Sequence, residues 1–128
     1  MIVVDTNIIS YLFLPTKFTS KAESLFIQES DWAAPMLWRS EFRNVLALYI
    51  KKQHLTLQDA LLIQDEAESL MIEREFSIPF RSILPLVERS DCSAYDCEFV
   101  ALAQHFGIDL VTADKGILRE FPTVARKL

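Results

Sequence analysis

A chain of 128 residues holds one domain with one sizeable core, and its 51% apolar content, with only two glycines and five prolines, excludes a disordered tail, a collagen-like repeat or a linker protein. Gly107 and Gly116 are too few for a phosphate-cradling loop or a dinucleotide fingerprint, so nucleotide-cofactor chemistry is excluded too. The net charge of −5 is carried entirely by Asp59 to Glu75, and the neutral remainder lacks the basic excess of ordinary nucleic-acid binders, so action on nucleic acid would need a metal cation to supply part of the attraction.

Ile2-Val3-Val4 is an unbroken β-branched run, the pattern of a strand buried on both faces in a parallel sheet, and it ends at Asp5. Ile8, Ile9, Leu12 and Phe13 recur at helical spacing up to Pro15, and a second helix is predicted over 20–28. Trp32-Ala33-Ala34 reads as a second strand. Trp38, Phe42, Val45, Leu46 and Tyr49 mark the longest amphipathic helix, predicted over 36–52, with bases in its last turn where the helix dipole favours them. The acidic segment is the next helix, opened by Thr56 with Asp59 at capping-box spacing, and its charge reads as a solvated face. Phe76-Ser77-Ile78 is a third strand, 83–87 a short helical turn, and Ser93 to Phe106 a strongly patterned helix closed by Gly107 in the left-handed conformation. A fourth strand over 109–112, a helical turn over 115–121 and an edge strand at Thr123-Val124-Ala125 complete the chain. Strands alternating with helices, without hairpin signals, predict an α/β domain with a mainly parallel sheet.

Cys92, Cys97, His54 and His105 have no zinc spacing and form no CxxC, so they read as reduced thiols and ordinary surface or capping histidines. No basic leader precedes Asp5 and no run approaches the roughly 20 apolar residues of a membrane span, which gives the expectation of a soluble, cytoplasmic protein.

Ligands of an open parallel sheet gather outside the carboxyl ends of its strands, and Asp5 and Asp114 both follow strands there, although each also reads as a helix N-cap. Asp96 shares the face of Phe99, Val100 and Ala103, and Glu41 lies beside the apolar stripe of its helix; acids seldom occupy such faces without a partner. A Ser93-x-x-Asp96 capping box and pairing of Glu41 with Arg39, Arg43 or Arg81 are the structural alternatives. Four carboxylates meeting in one cleft acquire raised pKa values or recruit a divalent cation, and a site of oxygen ligands alone selects Mg²⁺ or Mn²⁺. Such a site suits phosphodiester hydrolysis, where the cation activates water and steadies charge on a phosphoryl oxygen. Asp91, Glu98 and Asp109 lie near these acids; Glu98, about 200° from Asp96 on an ideal helix, is expected to face away as a surface residue. Asp91 reads as a turn or cap, and Asp109 as lying at the wrong edge of the sheet.

Val3-Val4-Asp5-Thr6-Asn7, Glu41, Ser93-Ala94-Tyr95-Asp96 running into Phe99-Val100-Ala101-Leu102-Ala103, and Leu110-Val111-Thr112-Ala113-Asp114 span almost the whole chain. In this order they resemble the PIN-domain family, specifically its small single-domain ribonuclease toxins of the VapC type. The resemblance implies a three-layer α/β/α domain over residues 1–128, Mg²⁺- or Mn²⁺-dependent endonucleolytic cleavage of RNA, and an acidic quartet of Asp5, Glu41, Asp96 and Asp114. Within it, the three aspartates would hold the metal while Glu41 orients ligands or water, and Asn7 and Thr112 match supporting polar positions. It further implies a homodimer and a small cognate antitoxin lying across the active-site groove.

A phospho-acceptor receiver domain fails on residues, because Thr6 stands where a second acid would follow Asp5 and the third strand runs into Pro79. A small Asp-nucleophile phosphatase fails at Asn7. The remaining rival is a catalytically lapsed module of the same fold that only holds RNA or a protein partner.

Overall fold

The computed structural model describes all 128 residues, Met1–Leu128. Its elements run β1 (Ile2–Val4), α1 (Thr6–Phe13), α2 (Thr19–Gln28), β2 (Trp32–Pro35), α3 (Trp38–Lys51), α4 (Leu57–Met71), β3 (Glu75–Phe76), α5 (Phe80–Glu88), α6 (Ala94–Phe106), β4 (Leu110–Thr112), α7 (Lys115–Glu120) and β5 (Ala125–Lys127). The five strands form one sheet in the order β3-β2-β1-β4-β5, and every pairing is parallel. Val3 is level with Ala33 on one side and Leu110 on the other, which places β1 at the centre. Each residue of β1, β2 and β4 is buried, as expected for strands covered on both faces.

Helices cover both faces and complete three layers. On one side α1 packs on β1 and β4, α4 packs on β2, and α2 and α3 pack against α1. On the other, α6 lies along β1, β2 and β4 with α5 over it. Because α6 is enclosed by sheet and helix, its residues Phe99 to Ala103 are buried all the way round. Trp32, Trp38, Phe42 and Phe99 are the largest fully enclosed side chains of the core. No helix is long and apolar enough to cross a membrane.

The helix ends follow their cap residues. Thr56 accepts a hydrogen bond from the Asp59 amide, Ser93 accepts one from the Asp96 amide, and Gly107 ends α6 at φ 64. Three expected elements differ. α5 runs through Pro85 rather than covering only 83–87, because a proline lacks just the one amide that would bond to Arg81. β3 sits at Glu75–Phe76, where Ala34 and Pro35 fix its register, and β5 begins at Ala125 because a turn of hydrogen bonds to the Phe121 carbonyl uses up the preceding residues. The acidic segment is also not wholly solvated. Glu75 accepts bonds from Trp38 Nε1 at 2.6 Å and from Arg39 Nε and Nη2 at 2.6 and 2.7 Å, and Glu68 takes Arg39 Nη1 at 2.7 Å. Burial alone would raise the Glu75 carboxyl, yet Arg39 and Trp38 together hold it below 4.5.

Candidate active site

The carboxyl ends of β1 and β4 lie side by side, and each is followed by an aspartate that caps the next helix. Asp5 uses Oδ1 to accept from the Thr6 amide at 2.7 Å and Oδ2 to accept from the Thr112 hydroxyl at 2.8 Å. Thr112 Oγ1 in turn accepts from the Asp114 amide at 3.0 Å, while Asp114 Oδ1 takes the Ile117 amide at 2.8 Å. One buried hydroxyl thus fastens the two chain segments together. Two helix N-termini supply the other acids: Glu41 lies in the first turn of α3 and Asp96 in the first turn of α6. Glu41 Oε1 accepts from the Thr6 hydroxyl at 2.7 Å, so neighbouring residues Asp5 and Thr6 hold opposite sides of the site.

All four acids line one cleft of about 610 Å³, with Asn7 at its edge. Thr112 lies beneath it, fully buried. Burial pushes the Asp5 carboxyl from 3.8 up to about 6; the bonds from Thr112 and Thr6 oppose the rise, and Glu41 and Asp96 add repulsion. Glu41 is raised by burial and by Asp96 against its bond from Thr6, and Asp96 by burial and by Asp114 against its bonds to Ser93. No lysine, arginine or histidine lines the cleft to offset this charge. Asp5 and Asp114 each cap a helix and also face the cleft, so the two readings of these residues hold together. None of the three arginines pairs with Glu41: Arg39 is held by Glu75 and Glu68, Arg43 donates to Ser40, and Arg81 lies over the Phe80 ring.

As the side chains stand, no three carboxylates are gathered closely enough to hold an ion. The donor set nonetheless suits a hard divalent cation: oxygen ligands only, mutual repulsion and no protein counter-charge.

Glu98 departs from expectation in part. It does not line the cleft, as expected, but it is half-buried rather than a surface residue, and its carboxyl is raised first by burial and then by Glu41. Its angle on α6 is measured about that helix alone, whereas Glu41 reaches in from α3. Asp109 pairs with Arg126 at 2.9 Å away from the cleft, and Asp91 is exposed. Thr6 and Tyr95, which the sequence motifs contain without a role at the site, and Asn44, which the sequence did not single out, also line the cleft. Asn44 was findable in principle, three residues after Glu41 on the same helical face.

The PIN domain family model matches residues 2–123. Ribonuclease VapC3 of Pyrobaculum aerophilum is 24% identical over 133 aligned positions that span 96% of each chain. Among solved structures, PAE2754 from Pyrobaculum aerophilum superposes with a TM-score of 0.76 at 19% identity, covering 97% of this chain and 81% of its own. FitAcB from Neisseria gonorrhoeae superposes with a TM-score of 0.71 at 19% identity, covering 98% and 96%. At such identities the superpositions establish the α/β/α fold.

Proposed function

The chain belongs to the PIN domain family, and from that premise we propose that it is a divalent-metal-dependent endoribonuclease, the toxin of a toxin–antitoxin pair, acting in the cytoplasm. The observation that carries the reading is the meeting of Asp5, Glu41, Asp96 and Asp114, from four separate elements, in one cleft with no basic residue in its lining. The 24% identity with a protein named as a ribonuclease, over almost the full length of both chains, supports RNA as the substrate.

In this reading Asp5, Asp96 and Asp114 hold Mg²⁺ or Mn²⁺, directly or through water. Bound there, the cation would lower the pKa of water and stabilise charge on the phosphoryl oxygen during in-line displacement. Thr112 keeps Asp5 turned toward the cleft, and Thr6 holds Glu41 by one oxygen, leaving the other free to orient ligands or the attacking water. Asn7 supplies an exposed amide at the edge. Cleavage would leave a 5′-phosphate and a 3′-hydroxyl. Leu14, Leu48, Tyr49 and Leu55 line an apolar groove that adjoins the cleft at Val45, a surface suited to a small antitoxin whose end reaches across the acids. A homodimer is part of the same proposal.

Purified protein should cut a mixed cellular RNA pool at discrete sites with Mn²⁺ and not with EDTA, and Asp96→Asn should abolish the cuts while its circular dichroism stays that of the parent. Full activity in the variant would remove Asp96 from the site. The rival reading is a lapsed module that keeps the same acidic cleft and binds RNA or protein without cutting. Calorimetry separates the two, since the nuclease should bind Mn²⁺ and the lapsed module should not.

A further inference from the structure

Tyr95 stands out among the aromatic residues of this chain. The residue is 62% exposed, and the other two exposed aromatics are each engaged: Phe80 lies under the Arg81 guanidinium, and Phe106 packs edge-on against Phe76. Tyr95 has neither a ring nor a cation against it, yet it sits on the wall of the acidic cleft, immediately before Asp96 in the first turn of α6. A large apolar face left open to water beside a charged cleft has a cost that burial in the core would have avoided, and a planar ligand face would cover it. Nearby, Asn44 and Asn7 also line the cleft, both exposed, and neither side chain makes a hydrogen bond within the protein. The cleft therefore offers one π-face and two free amides, and no cation of its own.

We propose that Tyr95 is the stacking platform for an unpaired base of the substrate next to the scissile phosphate, with the amides of Asn44 and Asn7 bonding to the base edge or sugar of the same nucleotide. Stacking on an aromatic side chain and hydrogen bonding to exposed edges are how proteins read unpaired nucleotides, and a base inside a duplex has no free face to offer. The cleft, about 610 Å³ in volume, has room for a nucleotide unit or two. This inference rests on the nuclease reading for its substrate, while the platform itself rests on Tyr95.

The test uses the whole protein and short single-stranded RNAs carrying 2-aminopurine, whose fluorescence falls when the base stacks. Ca²⁺ replaces Mn²⁺ so that binding is read without turnover. Wild type and Tyr95→Phe should quench the probe and bind with similar affinity. Tyr95→Ala should lose the quench and bind about 5- to 150-fold more weakly, the span expected for one lost base stack, with an unchanged thermal midpoint because the ring is exposed. A fully paired duplex of the same sequence should compete poorly. No quench with wild type, or equal quench and affinity with Tyr95→Ala, overturns the proposal. Cleavage in Mn²⁺ is scored separately: quench without cutting defeats the nuclease reading and keeps Tyr95 as the platform of a binding module.

Discussion

Each of the two oxygens of Asp5 has a fixed donor, the Thr6 amide and the Thr112 hydroxyl, yet its carboxyl still titrates near 6 because burial and like charge outweigh both bonds. In the unfolded chain the same group titrates near 3.8. Between these values the folded state keeps a proton that the unfolded state has lost, so stability falls as pH rises through the window. The penalty is absent below about pH 4 and complete above about pH 6, and two units amount to about 3 kcal/mol. Asp5→Asn removes the charge at the cost of one acceptor, so without divalent ions it should melt several degrees above the parent at pH 7.5. That advantage should shrink toward pH 4; a difference that does not vary with pH would place the destabilisation elsewhere. At this scale the sequence was most informative about acids that terminate strands, because a strand end has a fixed direction. It was least informative about Glu98 and Tyr95, whose relation to the cleft depends on what α3 brings alongside α6.

Among the elements, α3 is one of three helices, with α2 and α5, whose start carries no side-chain cap. Leu37 gives its N-terminus no side-chain cap, although Glu41 stands in that first turn. Support comes laterally, through Trp38 and Arg39 to Glu75 of β3 and Glu68 of α4. Glu75 is only 7% exposed and Arg39 28%, so removing one partner leaves the other poorly solvated. Glu75→Ala should cost about 2 kcal/mol, measured by urea unfolding. Arg39→Ala combined with Glu75→Ala should cost less than the two singles together, and simple additivity would mean that the pair acts independently. This clamp was not legible, because the run of acids looks like a solvated face until the chain brings Arg39 back beside it. By contrast, α6 was legible almost to the residue, since Ser93, Asp96 and Gly107 mark both ends with side-chain and backbone chemistry of their own.

For the molecule as a whole, the decisive fact is strand order. The chain lays β2 and β3 on one side of β1 and β4 and β5 on the other, so β1 and β4 flank the point where the order reverses. The alternation of strands and helices announces a parallel sheet, but nothing local states which strands are neighbours. Asp5 and Asp114, 109 residues apart in sequence, become partners only through that arrangement. Short strands also give weak register signals, which is why β3 and β5 lie one or two residues from their expected positions.

Thr112 lies where the sheet ends, and the Asp5 amide is itself bonded to the Val111 carbonyl at 3.0 Å. The spacing of Asp5 and Asp114 is therefore part of the strand ladder and can change only when the ladder opens. Glu41 instead rides on an uncapped helical turn held by side chains. The floor and the wall of the cleft are therefore expected to open at different rates. Amide hydrogen exchange should place Asp5 and Val111 in the slowest class, exchanging with global unfolding, and Arg39 and Ser40 among sites that open locally. Equal protection of the two would mean that the wall is as rigid as the floor. If the rates do differ, the two aspartates keep a fixed separation whenever α3 frays, and Glu41 keeps its place beside them through the Thr6 hydroxyl alone.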